Sequence, residues 1–560
     1  MLSVALSAKW SRHQSLGSCT VNTTRRLRTF DLHAPAPGAT PNKTLIYGDT
    51  AADRWSNNIS YRQLVISSCI GIVQFWWHPY VHDLRRLLPF LFLYNVFSII
   101  IGYPMFYLEL ALGIVTRKGV VTCWDLAPMA RGVGLSMLMV SMWTALGAGL
   151  VAAWSLAFLV HSFHVFLPWL HCAATANPPC AARHRPLPPG SDTPAQSFFF
   201  NFILNLKCDG LETGMGTIVR ELALYYVLCW ILIYGIAIKR IYSYSKVVLF
   251  KDLMAYFMLL CCAIGVSRLR GAGRMFLDAD WSVVLTELQI WREAIEYALL
   301  EMTVGQGALV MLGTYCPKQQ HALARTALLA FAASKTSSMA VALILGAVHG
   351  ALHNDYENTT NIWGGTSSSM VLWADYAARI PGSQFWSVIV FFTIFTLALS
   401  SSALLIQTII STLTGRSIRH ISWAFLVLLC FLFCVIGVIT LCTQTGLYML
   451  NFLMNWPATK PRVVVGTVVA AIVTFVYGQT TFCEDVYFAV GEYPCVFLRV
   501  SWAVAPLLLF CTFWMTIASG SPDPGPGWAL VMMAILPTFI VLLFYLVFKF
   551  RVRNIVRTEK

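Results

Sequence analysis

The residues from 67 to 80 (SSCIGIVQFWWHPY) form a long apolar segment with features that break a helix and could bind a ligand. Gly71 and Pro79 disfavour a continuous helix, and Gln74 adds an amide group between apolar neighbours. Inside lipid, backbone groups freed by a break cost several kcal/mol each unless protein, water or a ligand pairs with them. A break at membrane depth is therefore typical of a binding site.

A second interruption, Gly305-Gln306-Gly307, lies in the middle of another apolar segment and follows Glu301. A carboxyl group at this depth is costly and by default indicates a functional site. Lys335, also within an apolar segment, either pairs with Glu301 or extends its ammonium group towards the membrane interface. Of these two placements, we expect the extended one.

The elements that carry these residues belong to a membrane protein. Of the 560 residues, 58% are hydrophobic and 11% are charged, whereas soluble proteins carry about 25% charged residues. The net charge of +14 comes from basic residues at segment ends and in the tails. Basic residues in these places are typical of a protein whose charges orient its spans in the membrane, and they do not indicate nucleic-acid binding. No P-loop and no HExxH motif occurs, so neither an enzyme nor a nucleotide-driven pump is predicted.

Apolar segments predict an all-α polytopic protein with twelve spans in lipid. The spans lie at about 60–82, 86–112, 133–160, 218–236, 247–267, 287–313, 322–349, 384–412, 422–441, 444–478, 496–519 and 527–550. We expect residues 1–58 to be a disordered tail, 59–550 the membrane domain and 551–560 a basic tail. An even number of spans puts both termini on one side, and the basic residues predict that this side is the cytoplasm.

Two predicted loops would then lie outside the cell. The loop near 161–217 contains Cys172 and Cys180, which we interpret as a disulfide; two unpaired thiols are the alternative. The loop near 350–383 carries a glycosylation sequon at Asn358.

The two interrupted segments are the predicted first and sixth spans, which are five spans apart. An odd spacing reverses orientation, so spans one to five and six to ten could be inverted copies whose breaks face each other. This pattern predicts a five-plus-five inverted repeat and a secondary transporter whose site lies at the membrane midplane.

Several motifs, in the right order between residues 54 and 550, resemble the neurotransmitter:sodium symporter family. They are 104–113 (PMFYLELALG), 122–124 (TCW), 131–134 (RGVG), 221–224 (ELAL), 246–248 (KVV), 280–282 (DWS), 313–315 (GTY), 446–448 (GLY) and 477–478 (YG). The resemblance implies twelve helices with broken first and sixth spans, and sodium-driven uptake of an amino acid or amine, often with chloride. It also implies that Glu109 has a structural role, in which it supports the unwound main chain of the sixth span.

The resemblance further implies a sodium site between the first and eighth spans. Its ligands would be main-chain carbonyl groups near Ser67, Ile70 and Leu397, and the hydroxyl groups of Ser400 and Ser401. Several neutral oxygens suffice for a small hard cation. Alternatively, these serines only bond to carbonyl groups of their own helix or help helices to pack.

The second sodium site of the family is altered in this chain. Gln74, Glu301 and Ser334 stand where the family has an asparagine, a hydroxyl residue and an asparagine, while Cys69 could still offer its carbonyl group. Glu301 could bind sodium, anchor an amine, stand in for chloride, or be a protonated, hydrogen-bonded acid without a ligand. The family's chloride site would overlap this region at Phe90, Tyr297, Ser334 and Ser338.

The implied substrate pocket departs from the family pattern. Gly71 fits an amino-acid-type pocket, because monoamine carriers have an aspartate at this position. Ala148 replaces the tyrosine that holds a substrate carboxylate, which removes a donor and leaves space. The other residues that would line the pocket are Tyr297, Glu301, Thr303 and Gly305.

The implied gates differ as well. Trp77 and Met454 stand where the outer gate has an arginine and an aspartate, so an aromatic–thioether contact could close it. On the inner side, Gly415 replaces an aspartate.

Two functions therefore remain open. The first is sodium-coupled symport of a small organic solute across the plasma membrane. The second is a transporter fold that no longer transports and acts as a binding partner or receptor. The Ser400–Ser401 pair favours symport, whereas the loss of the family's asparagine, tyrosine, arginine and aspartate favours the alternative. We prefer symport.

Overall fold

The structure, a computed structural model, describes residues 58–76, 78–172, 192–207, 214–238, 241–269, 271–317, 322–352, 367–414, 423–518 and 524–558. Within these ranges the chain is mainly helical, and an isolated β-bridge joins Ile218 to Thr443. Most of the predicted N-terminal tail, together with Trp77, Cys180, Asn358 and Gly415, lies outside the described residues.

The first and sixth predicted spans are broken helices, as the sequence predicts. The first consists of helices Asn58–Ser68 and Ile72–Trp76, and the sixth of helices Leu288–Glu301 and Ala308–Thr314. The sixth-span break follows from its backbone, because Gly305 and Gly307 have φ angles of +76° and +77°, which interrupt a right-handed helix.

The other long helices correspond to the remaining predicted spans. Ten helical stretches within the described residues are long and apolar enough to cross a membrane. Their component helices are Leu84–Phe97, Tyr103–Thr116, Arg131–His161, Arg220–Ala237, Ile241–Val266, Leu323–Ala351, Ser383–Thr414, Trp423–Thr440, Gly446–Asn455, Lys460–Ala471, Gln479–Val490, Val496–Ala518 and Pro524–Thr558. We refer to these helices by the ordinal number of the predicted span.

Shorter elements connect the spans. The α-helical ones are Pro194–Ser197, Arg274–Leu277, Val283–Thr286 and Ser368–Arg379. Turns of 3-10 helix lie at Thr122–Leu126, Pro128–Ala130 and Pro168–Leu170, and π-helical turns at Ser98–Gly102, Phe198–Ile203 and Ile472–Gly478. In the connection between the fifth and sixth spans, hydrogen bonds from the hydroxyl and backbone N–H of Ser282 lower the pKa of Asp280.

Two predicted boundaries are wrong. The tenth span, predicted at 444–478, contains a third break between Asn455 and Lys460 and continues to Val490. Pro457 and Pro461 account for the break, because proline has no N–H to donate to a helical carbonyl group. The last helix does not end at residue 550 but extends to Thr558, through the predicted basic tail.

The second span and the second half of the sixth span cross with their backbones in contact. A Cβ atom on Gly113 would lie 2.1 Å from the carbonyl oxygen of Val310. A Cβ atom on Gly313 would lie 2.5 Å from the carbonyl oxygen of Leu110. Only glycine permits this approach at both positions, since any larger residue would bring a carbon into a carbonyl oxygen.

The fifth span lies close to the first-span break. Its helix, Ile241–Val266, packs against the first, seventh and eighth spans. A side chain on the inner face of this helix can therefore contact the end of the first-span helix.

Candidate functional site

Lys251 of the fifth span lies at the break in the first span. Its Nζ donates hydrogen bonds to the carbonyl oxygens of Ser67, at 2.9 Å, and Ile70, at 2.5 Å. The lysine side chain is 1% exposed, and its ammonium group is 3.0 Å from the carboxylate of Asp252, the next residue. The last carbonyl groups of a helix lack partners within the helix, so a broken helix presents them to a cation.

The eighth span closes the same break. The Oγ of Ser401 accepts a hydrogen bond from the backbone N–H of Ile72 at 3.1 Å, which pairs a free donor at the start of the second half-helix. A Cβ atom on Gly71 would lie 3.4 Å from this Oγ. Leu397 and Ser400 are both buried on the same eighth-span helix.

The first-span break is therefore surrounded by three of the predicted sodium ligands, Ser67, Ile70 and Ser401. Carbonyl and hydroxyl oxygens are ligands that sodium accepts. Two of the predicted oxygens, the carbonyl groups of Ser67 and Ile70, already hold the ammonium group of Lys251. The hydroxyl of Ser401 holds a backbone N–H. The predicted oxygens therefore fit a sodium ion chemically, but three of them already accept hydrogen bonds from the chain's own N–H groups.

The altered second site is a closed network of hydrogen bonds. The amide Nε2 of Gln74 donates to the carbonyl oxygen of Cys69 at 2.7 Å and to the Oγ of Ser334 at 2.7 Å. It also lies 3.3 Å from the Oε1 of Glu301, to which Ser334 donates at 2.6 Å. Ser337 donates to the Oε1 of Gln74 at 2.8 Å. The four predicted residues therefore meet, joined by Ser337.

The expectation that Lys335 extends towards the interface is wrong. Its Nζ donates to the Oε2 of Glu301 at 2.6 Å and to the Oγ of Ser98 at 2.7 Å. It also lies 3.6 Å from the centre of the Tyr94 ring, where a cation is attracted to the π electrons. The side chain of Glu301 is fully buried, and pairing with it offsets the cost of burying both charges.

Among the described residues, the hydrogen-bond partners of Glu301 are all groups that can donate. The ammonium group of Lys335, the hydroxyl of Ser334 and the amide of Gln74 all point hydrogen atoms at its two oxygens. An ionised carboxylate only accepts hydrogen bonds, and these three groups can supply them.

The region implied as a chloride site contains two residues that sequence reasoning missed. Phe90 contributes an apolar ring, which stacks on Tyr94. The hydroxyl of Tyr94, one helical turn further on, donates to the Oγ of Ser338 at 3.1 Å. The Nε2 of His78 lies 3.2 Å from the same Oγ. The i, i+4 spacing from Phe90 was the signal that could have pointed to Tyr94. The other residue implied there, Tyr297, packs its ring against those of Tyr94 and His78.

The unwound part of the sixth span is held by Glu109. Its Oε1 accepts a hydrogen bond from the backbone N–H of Gly305 at 2.8 Å, which agrees with the structural role expected for this carboxyl group. Thr303 adopts a left-handed conformation with φ +55°. Its Oγ1 is buried, and no hydrogen-bond partner for it lies among the described residues. A strained backbone with a free hydroxyl is typical of a ligand site.

Comparison with known proteins identifies the scaffold. The model of the Sodium:neurotransmitter symporter family matches residues 52–553. The chain belongs to this family. Its membership makes the chain a membrane transporter of a sodium-coupled family, not a member of an enzyme family. It gives no support to the transport-inactive alternative.

Three relatives are similar over most of the chain. The sodium- and chloride-dependent neutral and basic amino acid transporter B(0+) of Mus musculus is 26% identical over 528 residues, which cover 85% of this chain and 82% of the relative. The transporter of the same name from Homo sapiens is 24% identical over 535 residues, with coverage of 85% and 82%. The sodium- and chloride-dependent glycine transporter 2 of Xenopus laevis is 25% identical over 537 residues, with coverage of 86% and 67%.

A buried arginine beside the unwound sixth span was also missed. The guanidinium of Arg462 donates to the carbonyl oxygen of Val304 at 3.2 Å and to the Oγ1 of Thr144 at 2.9 Å. It also donates to the carbonyl oxygen of Ala458 at 2.6 Å. With the amide of Gln306 turned so that its oxygen faces the guanidinium, Gln306 accepts as well. An arginine inside a predicted span was the available signal.

The predicted outer gate is described on one side. Met454 is buried and packs against the third span, where a Cβ atom on Gly147 would lie 2.8 Å from its Sδ. Ala148, the next residue, is also buried. Because Trp77 lies outside the described residues, the contact between Trp77 and Met454 stays a prediction.

The two predicted modifications are described in part. Cys172 is disulfide-bonded. Its predicted partner, Cys180, and the predicted glycosylation site, Asn358, lie outside the described residues.

Proposed function

We propose that the chain is a symporter of a small organic solute of the amino-acid or amine class, with sodium as the coupling ion. The solute binds between the first-span and sixth-span breaks, and the protein opens this site alternately to the two sides of the plasma membrane. Both termini face the cytoplasm in this proposal.

The observation that carries the proposal is the junction of the two breaks. Gln74 lies just after the first-span break, and Glu301 lies just before the sixth-span break. The distance from the Nε2 of Gln74 to the Oε1 of Glu301 is 3.3 Å. The hydroxyl of Thr303, a residue in the sixth-span break after Glu301, is buried without a partner among the described residues. A site with unwound backbone on two sides and an unpaired hydroxyl group supports binding of a polar solute.

The lining residues suggest the size and polarity of the solute. Gly71, Ala148 and Gly305 are small, but Ser401 lies against Gly71 and Arg462 lies against Gly305, so the space left for a solute is small. The charge of Glu301 is matched by Lys335, and the donors of Arg462 are used by the protein itself. These pairings favour a solute less polar than an ordinary amino acid. Relatives named for neutral and basic amino acids and for glycine support the amino-acid class.

The roles of the two acids differ in this proposal. Glu109 holds the sixth-span backbone, and Glu301 joins the sixth span to the seventh through Lys335. Glu301 is therefore not left to bind an amine directly, whereas the Oε2 of Glu109 is buried without a hydrogen-bond partner among the described residues.

Uptake by cells tests the proposal. Cells expressing the protein at the surface are given a panel of labelled amino acids and amines, in sodium chloride and in choline chloride. We expect sodium-stimulated uptake of at least one solute. Thr303→Val, which removes the free hydroxyl at constant volume, should lower uptake, while Thr336→Val, an exposed position, should not. A surface-expressed protein that takes up no member of the panel would contradict the proposal.

Two further measurements test its other parts. Replacing Ser400 and Ser401 together by alanine should abolish sodium-stimulated uptake, because both implied hydroxyl ligands are removed. Epitope tags at the two ends of the chain should bind antibody only after the cells are permeabilised. Antibody binding to intact cells would contradict the cytoplasmic placement of the termini.

A further inference from the structure

The end of the first half of the first span is built to bind a cation, and the structure places one there. The carbonyl oxygens of Ser67 and Ile70 both accept from the ammonium group of Lys251. The lysine reaches them from a different helix, with its side chain almost fully buried. Burying an ammonium group requires oxygens that replace its water, and these two carbonyl groups supply them.

The surroundings leave little freedom for a second cation. Asp252 lies beside the ammonium group at 3.0 Å and balances its charge. The hydroxyl of Ser401 is directed to the backbone N–H of Ile72. A sodium ion at the same carbonyl oxygens would lie within a few ångströms of the lysine charge, and like charges in a buried site repel strongly.

We propose that Lys251 is an internal competitor of sodium at the first-span break. Its tethered ammonium group occupies the carbonyl oxygens of Ser67 and Ile70, and sodium binds there only when this group moves away. The inference deepens the proposed function, on which its meaning for transport rests. A tethered ligand stays at high local concentration whatever the ionic composition of the solution, so sodium affinity at this site is lower than the oxygens alone would give.

Thermal stability of the purified full-length protein in detergent tests this competition. Melting is followed as sodium chloride replaces choline chloride at constant ionic strength. Lys251→Met keeps the length of the side chain and removes its charge. We expect this variant to show saturable stabilisation by sodium, with a half-maximal concentration at least about tenfold below that of the unmodified protein.

Two variants serve as controls. Lys118→Met removes an exposed lysine that pairs with Asp125, and its sodium response should match that of the unmodified protein. Adding Ser401→Ala to Lys251→Met removes an oxygen beside the same break, and the gain in sodium affinity should shrink.

The proposal is overturned if Lys251→Met responds to sodium like the unmodified protein, or less strongly. If the variant folds only in the presence of sodium, that result supports the proposal, because the ion then replaces the ammonium group. If it folds in neither salt, Lys251→Gln takes its place in the same titration. Independently of any variant, saturable stabilisation of the unmodified protein at sodium concentrations as low as those expected for the variant would overturn the proposal. The readout is stability, so absence of solute uptake bears on the proposed function and leaves this test intact.

Discussion

Two lysines, Lys251 buried and Lys335 partly buried, lie at the two places where the family resemblance implies sodium, but they are held in different ways. Lys251 binds neutral main-chain carbonyl groups, with the carboxylate of Asp252 at its side. Lys335 binds the carboxylate of Glu301 directly and is further held by Ser98 and the Tyr94 ring.

This difference determines what each lysine leaves behind when it is removed. Without Lys251, the first-span break is a set of neutral oxygens that another cation can use. Without Lys335, a fully buried carboxylate has lost its counter-charge, and no simple ion reproduces the three-way contact. We therefore propose that the first site is exchangeable and that the second is structural. The predictions below test that distinction, from the largest expected effect to the smallest.

Lys335→Met should destabilise the protein most. It leaves the buried carboxylate of Glu301 without its partner, which costs about 3–5 kcal/mol of the free energy of unfolding. Denaturation of the purified protein measures the loss. The double variant Lys335→Met/Glu301→Gln should recover most of it, because no charge is then stranded. Additive losses in the two single variants would contradict an ion pair.

Lys251→Met, measured in choline chloride, should cost less. It leaves two carbonyl groups unpaired, and each unpaired buried polar group costs about 1–3 kcal/mol, partly recovered by water. Sodium should restore stability to this variant but not to Lys335→Met. Equal rescue of both variants by sodium would remove the distinction between the two sites.

Ser401→Ala should cost about 1–2 kcal/mol. The hydroxyl accepts from the backbone N–H of Ile72 at the start of a short helix, much as an N-cap residue does. Ser402→Ala is the matched control, because the Oγ of Ser402 is buried with no partner among the described residues. Its removal should be close to neutral in the same melting experiment. A larger loss for Ser402→Ala than for Ser401→Ala would contradict the contact.

Ser337→Ala should have the smallest effect, about 0.5–1.5 kcal/mol. It removes one hydrogen bond to the Oε1 of Gln74 at 2.8 Å, while the amide nitrogen of Gln74 keeps its contacts with Cys69 and Ser334. The melting temperature of this variant is compared with that of Thr336→Ala, which changes an exposed neighbouring residue. A loss as large as that of Lys335→Met would mean that the network depends on Gln74 and not on the ion pair.

The helical fold and its two central breaks could be predicted from sequence. Long apolar segments form spans and interior glycines interrupt helices, and both effects depend mainly on neighbouring residues in the chain. Gly305 and Gly307 interrupt a helix whatever surrounds them. The contacts of Lys251 and Lys335 could not be predicted in this way. Successive residues of a helix point about 100° apart, so one residue of rotation decides whether a lysine enters the core or leaves it.

The roles of polar residues inside spans were still harder to predict from the sequence. Arg462 lies within the predicted tenth span, but its buried position follows a break between Asn455 and Lys460 that was not predicted. Gln74 meets Glu301 and Ser334 in the structure, and the family resemblance had supplied that grouping. What it could not supply was the closing partner, Ser337, which depends on how the seventh span is rotated.

The contact between Gly113 and Gly313 has a consequence for how the protein opens. With no side chains between the two backbones, the second span and the second half of the sixth span cannot slide or roll past each other without forcing a Cα atom into a carbonyl group. We therefore expect these two elements to move as one rigid body when the proposed solute site opens. In that case the hinge lies elsewhere, and we expect the unwound residues between Glu301 and Ala308 to be the part of the chain that bends.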